Sequence, residues 1–179
     1  FGSAVNTLSR LERLRPDAII VQDIGVASIC RKFFPELKLH ASTQLVAHNL
    51  ESVLAMGEMG FERVVLAREL SASDIASIAA KCGGIELECF IHGALCYSIS
   101  GLCLFSAMEK DRSGNRGKCA YCCRLGYDDE AKGKAFPFSM KDLRLGKDVA
   151  KVVNAGAVSL KIEGRMKSAF FFFLVTRYS

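Results

Sequence analysis

The sequence predicts an α/β fold built from repeated strand and helix units, and three observations lead there. Short aliphatic and β-branched runs recur with a period of just over twenty residues, and the segments between them carry apolar residues at helical spacing. Polar residues gather where the runs end. With 179 residues and 50% hydrophobic content, the chain has the apolar supply for one ordinary globular domain, so residues 1–179 are read as a single domain.

The first run, "DAIIVQD" from Asp17, leads into a helix-like stretch that carries Cys30 and ends before Pro35. The second, "LKLHAST" from Leu37, is followed by a helical pattern over Gln44 to Met59. After the third, "ERVVLARE" from Glu62, a helix is expected over Ser71 to Ala80, with Ser71 and Ser73 as cap candidates. The fourth run, "IELECFIHG" from Ile85, opens into a long irregular insertion, residues 93–127. A helix-like stretch from Lys141 and a fifth run, "AVSLKIEGR" from Ala157, complete the pattern.

Alternating strand and helix implies a parallel sheet with right-handed crossovers, either a (β/α) barrel or an open doubly wound sheet. The position of the polar residues favours the barrel. Gln22 and Asp23, then Ser42, Thr43 and Gln44, then Arg68 and Glu69, then His92, then Lys161, Glu163 and Arg165 all close their strands, at the ends where barrel enzymes build active sites. Arg68, Glu69, His92, Lys161, Glu163 and Arg165 are the candidate catalytic residues of such a mouth. Each has a structural alternative: Asp23 or Ser42 can cap a helix, and Arg68 with Glu69 can form a rim salt bridge. A full barrel needs roughly 200 residues or more, so a partial TIM-type barrel is expected, lacking strands before Phe1 and after Ser179. Its uncovered edges would make the chain unstable or prone to associate.

Charged residues make up 24% of the chain, and no apolar run approaches the roughly 18 to 20 residues of a membrane span. Phe1 is not preceded by a basic, Ala-rich leader, so a cytoplasmic protein without a membrane partner is expected. The tail "AFFFFLV", residues 169–175, suits burial against another element better than insertion in a bilayer. Net charge is +5, and its placement is uneven: Lys110 to Arg124 holds five basic residues against one acidic, and Lys141 to Lys167 seven against three. That bias fits a polyanion such as RNA, with Lys110, Arg112, Arg116, Lys118 and Arg124 as candidate phosphate contacts. A solvated basic face is the alternative.

Eight cysteines without a secretory signal argue for metal or redox chemistry and against a disulfide framework. Five of them, Cys96, Cys103, Cys119, Cys122 and Cys123, fall in the insertion, whose glycines allow the turns that would bring thiols together. Zinc favours two C-x2-4-C knuckles, and only Cys119 with Cys122 or Cys123 makes one. An iron-sulfur cluster takes four cysteines at varied spacing, and spacing alone leaves both metals open. Buried, unligated thiols are the bland reading. For Cys30, Cys82 and Cys89 that reading wins, because each lies in or just past a helix, or on an apolar strand face.

The stretches "ELECFIHGALCYSISGLCLFS", "RSGNRGKCAYCCR" and "SLKIEGRMKS" closely resemble the U-thirty-two peptidase family, and "IIVQDIG", "HASTQ" and "VVLAREL" match it too. The family includes proteins named collagenase-like proteases and hydroxylases acting on ribosomal RNA, transfer RNA and ubiquinone precursors. The resemblance implies a TIM-type barrel carrying a 4Fe-4S cluster, with the family's pattern falling on Cys96, Cys103, Cys119 and Cys123. Cys122 is then the odd thiol. The resemblance to the RNA-hydroxylating branch further implies prephenate as a cosubstrate.

Residues for peptide hydrolysis are missing from the pattern: there is no H-E-x-x-H, no G-x-S-x-G, and His40, His48 and His92 have no zincin spacing. Iron-sulfur-dependent RNA hydroxylation is therefore expected, with Arg68, His92, Lys161 and Arg165 as ligands for an anionic cosubstrate. A collagenase-like peptidase, a ubiquinone-pathway-type hydroxylase and a non-catalytic RNA-binding fragment are the alternatives.

Overall fold

The structure is a computed structural model that describes residues 1–131, 133–164 and 167–178. In chain order the regular elements are α1 (Gly2–Leu14), β1 (Ile19–Val21), α2 (Ile24–Phe33), β2 (Leu39–Ala41), α3 (Leu50–Glu58), β3 (Phe61–Val65), α4 (Ala72–Ala79) and β4 (Glu86–Gly93). There follow α5 (Phe105–Lys110), β5 (Tyr127–Asp129), β6 (Gly133–Ala135), β7 (Leu143–Arg144), α6 (Val149–Asn154), β8 (Ser159–Ile162) and α7 (Ala169–Tyr178). The chain folds as two compact units, Phe1–Cys89 with Ala150–Leu160, and Phe90–Val149 with Lys161–Ser179.

The first unit holds the repeating part. β1 pairs with β2, β2 with β3 and β3 with β4, all parallel and in sequence order. Leu39, Ala41, Val64, Val65 and Leu87 are buried along these strands, and Ala27, Cys30, Val53 and Ile78 are buried on α2, α3 and α4. Each large buried side chain of this kind contributes roughly 1.5–3 kcal/mol over its exposed state. The helices start where polar caps stop the strands: Asp23 accepts from the Val26 N–H at 2.9 Å, and Asn49 with Ser52 forms a reciprocal capping box. Ser71 and Asp74 form another, and their hydrogen bonds hold the Asp74 carboxyl below its ordinary range.

Several expectations shift at this level. The helix expected over Gln44 to Met59 is interrupted, because Val46 adopts a left-handed conformation (φ 60°) after a 3-10 turn and α3 restarts at its Asn49 cap. The helix-like stretch from Lys141 begins instead as β7, passes through a 3-10 turn and becomes helical only at Val149. α1 precedes the first expected strand and buries Leu8. The four parallel strands establish an α/β unit with a mostly parallel sheet, and a closed TIM barrel is not what they form among the described residues.

The second unit is built differently. Its elements are short: the β5–β6 hairpin, the antiparallel pair of β7 with the end of β4 (His92 beside Arg144), α5, and 3-10 turns. Aromatic rings cluster in it, part-exposed at Phe105, Tyr127 and Phe138 and exposed at Tyr97. Phe138 meets Tyr97 at 5.2 Å, Tyr127 at 5.4 Å and Phe105 at 5.8 Å between ring centroids, each edge to face. In α7, Val175 is buried while Phe170 and Phe173 are exposed. No described helix is long and apolar enough to cross a membrane.

Candidate functional site

In the second unit, β4 ends at Gly93, whose φ of +126° and close approach to the Glu163 backbone exclude a side chain: a Cβ there would lie 2.5 Å from the Glu163 carbonyl oxygen. The chain leaves the strand here and enters the cysteine segment. Leu95 and Cys96 come first, then Cys103, then α5, which begins two residues later at Phe105. Cys119, Cys122 and Cys123 follow on the return stretch.

Cys122 and Cys123 are separated sharply by burial. Cys122 is 3% exposed, and its carbonyl accepts from the Tyr127 hydroxyl at 2.9 Å. Cys103, Cys119 and Cys123 are partly exposed and Cys96 is exposed. Burial pushes the Cys123 thiol up, a hydrogen bond from the Tyr97 backbone opposes this, and Cys96 and Cys119 are near enough to push it up further. Cys119 is held by the Tyr121 N–H, which reaches its Sγ at 3.3 Å because Tyr121 turns left-handed (φ 57°). Among the described residues, no three His, Cys, Asp or Glu side chains converge as ligands of one metal ion. Cys96 and Cys119 thus act electrostatically on Cys123, and the described thiols are not set at ligand distance from one metal ion.

Two polar clamps, invisible in the sequence, support this segment. Ser106, 1% exposed in α5, accepts the Ala120 N–H at 2.8 Å. The Arg124 guanidinium donates to the Leu95 carbonyl at 3.1 Å, to Asp142 Oδ1 at 2.9 Å, to Ser139 Oγ at 3.2 Å and to the Met140 carbonyl. Of the five expected phosphate contacts, Lys110, Arg112, Arg116 and Lys118 are exposed. Arg124 is the exception, because its donors are committed within the protein.

The expected mouth residues divide between the units. In the first, Glu69 pairs with His48 at 3.4 Å, Ser42 accepts the Gln44 N–H at 3.3 Å, and Asp23 caps α2. Arg68 is partly buried. In the second, Lys161 lies over the Phe90 ring at 5.6 Å, His92 meets the edge of Phe171 at 5.7 Å, and the Glu163 N–H donates to the His92 carbonyl at 2.8 Å. Arg165 falls outside the described residues.

The first unit also contains a charged cluster that sequence reasoning missed. Arg63 donates to Glu86 at 2.7 Å and to Ser159 at 3.3 Å, and stands 3.6 Å from Glu88, a carboxylate only 6% exposed that accepts from the Ser159 hydroxyl at 2.9 Å. His40 faces Arg63 across the β2–β3 pair; burial, then the Arg63 cation, lowers its pKa against the pull of Glu88, Glu86 and Glu62. The alternation of Glu86 and Glu88 with Leu87 and Cys89 was the available signal. Burial raises the Cys89 thiol to about 11 and also raises Cys30, so both behave as core fillers.

A parallel α/β unit followed by a thiol-rich segment defines a class of protein, and sequence comparison narrows it. Peptidase family U32 matches residues 1–178, and the chain belongs to that family. It is 43% identical to the tRNA hydroxylation protein P1 of Bacillus subtilis over 84% of this chain and 38% of that protein. It is 40% identical to the 23S rRNA 5-hydroxycytidine C2501 synthase of Escherichia coli over 84% of this chain and 23% of that protein. A collagenase of Porphyromonas gingivalis is 31% identical over 96% of this chain and 45% of its own length. The chain spans less than half the length of these relatives. Among solved structures, a U32 peptidase superposes on 52% of this chain and 38% of its own, with a TM-score of 0.46 and 17% identity.

Proposed function

We propose that the protein containing this chain hydroxylates a base of transfer or ribosomal RNA, using an iron-sulfur cluster held by Cys96, Cys103, Cys119 and Cys123. The observation that carries the reaction is the similarity to relatives named for hydroxylation of tRNA and for making 5-hydroxycytidine in 23S rRNA. Four exposed basic residues of the cysteine segment, Lys110, Arg112, Arg116 and Lys118, support RNA as the partner, since phosphate contacts dominate affinity for nucleic acids. The parallel pairing of β1 to β4 in sequence order, with no switch point among these four described strands, supports a barrel segment over a doubly wound sheet.

The donor set suits the cluster chemically. Soft thiols near a cation are the ligands iron-sulfur clusters take, and the one neighbouring thiol that could compete, Cys122, is withdrawn into the interior. When bound, such a group supplies one-electron chemistry. The chain's own residues position and bind: Lys161 and His92 in the second unit are the groups proposed for an anionic cosubstrate of the prephenate type, with Lys161 held over Phe90. Exposed lysine and arginine side chains hold the RNA backbone while an unstacked base approaches.

Peptidase activity is the competing reading, favoured by the collagenase relative. Its weakness is the nucleophile: Cys89 is held protonated by burial, and His48 is paired with Glu69 on the surface. The test compares tRNA and rRNA nucleosides by mass spectrometry in cells with and without the parent gene, alongside gelatin cleavage by iron-loaded protein. A hydroxylated nucleoside that disappears with the gene is the expected result. Unchanged nucleosides with iron-dependent gelatin cleavage would establish the peptidase, and unchanged nucleosides without cleavage would shift the substrate to a small molecule.

A further inference from the structure

We infer that Arg124 is a positioning residue, a guanidinium staple that holds the Cys96 arm against Cys123 and so pre-forms one side of the thiol site. The inference rests on the cluster reading above for its purpose, but on geometry for its content. Arg124 immediately follows Cys123, and its Nη2 donates to the carbonyl of Leu95, the residue before Cys96. The same guanidinium ties both arms to a third stretch through Ser139, Met140 and Asp142. One planar fork thus bridges segments 29 and 18 residues away in sequence, at Leu95 and Asp142.

Arginine is required for this. Its fixed fork meets four acceptors at once, which the three donors of a lysine ammonium on a flexible stem cannot reproduce. The side chain is 25% exposed, so the carbonyl of Leu95 would lose its partner in a part-buried setting if it were removed. Ser106 does the corresponding work on the other pair, fastening the residue after Cys119 to the helix that begins two residues past Cys103.

Arg124→Gln, Arg124→Lys and Asp142→Asn are compared with the unsubstituted protein by two readouts. The first is iron and sulfide bound after anaerobic reconstitution. The second needs no metal: peptide mapping of the Cys96–Cys123 disulfide formed when metal-free protein is oxidised with diamide. Iron affinity is expected to fall about 10- to 100-fold in Arg124→Gln, the range for residues that orient metal ligands. The cross-link should fall with it, and Arg124→Lys should rescue neither. Asp142→Asn, which removes the negative charge from one exposed acceptor and decides the matter if Arg124→Gln does not fold, should lose part of both. Unchanged iron and cross-link in the folded variants, or full rescue by lysine, overturns the staple. An unsubstituted protein that binds no iron but shows an Arg124-dependent cross-link sinks the cluster reading and leaves the staple standing.

Discussion

The two units of this molecule solve the same problem, holding a chain in one conformation, by opposite means. Residues of the parallel unit are fixed by apolar burial: Leu39, Val64, Val65 and Leu87 are at most 1% exposed, and short capping motifs start its helices. The cysteine unit has few such residues. Its loops are fixed by Phe138 among three aromatic rings and by side chains that satisfy backbone groups, above all Ser106 and Arg124. Burial is non-directional and tolerates many sequences, whereas a clamp depends on one donor meeting particular acceptors. The proposed thiol site lies in the unit where single polar residues decide geometry.

Cysteine substitution sharpens the contrast most. Cys123→Ser should abolish iron binding, while Cys122→Ser should retain it and cost stability, because Cys122 is buried and Cys123 is part-exposed. Iron analysis and melting of both variants check this, and the reverse pattern would reassign the ligand. Next in size is Arg63→Met in the parallel unit, which takes the cation away from the buried Glu88 carboxylate while leaving it the Ser159 hydroxyl, and should cost about 3 kcal/mol in urea unfolding with iron binding unchanged. Phe138→Ala should cost about 2–3 kcal/mol, felt as faster hydrogen exchange across residues 96–127 and little across the parallel strands. Uniform exchange through both units would break the distinction.

The smallest expected effect is one of pH. His40 titrates below its ordinary 6.5 in the folded chain, mainly from burial. The unfolded chain therefore binds the extra proton first as pH falls through 6.5, and stability declines below that point and is flat above it. A urea midpoint that drops between about pH 7.5 and about pH 5.5, and drops less in His40→Asn, is expected. An equal drop in both would place the acid sensitivity elsewhere.

Where sequence reading succeeded, the interactions were short-range. The Ser71 cap acts on a partner three residues away, and the strand runs at Asp17, Leu37, Glu62 and Ile85 showed themselves through period and composition. The thiols of Cys30, Cys82 and Cys89 were legible as fillers because each lies in or just past a helix, or on an apolar strand face, and all three are buried. The break at Val46 and the strand at Leu143–Arg144 were not legible, since neither carries a turn or strand signal strong enough to oppose the helical pattern around it.

Local order, then, was determined by the sequence itself: the strand and helix repeat, the caps, the buried cysteines and the thiol-rich segment. Tertiary structure alone decided what the charged residues do. Arg124 reads as one more phosphate contact until folding places it against a carbonyl 29 residues back, and Arg63, which drew no reading from the sequence, meets Glu86 and Ser159 from 23 and 96 residues away. Periodicity reports only which way a side chain points. The role of a charge depends on which partners the fold brings within about 3 Å of it, and those are set by the path of the whole chain.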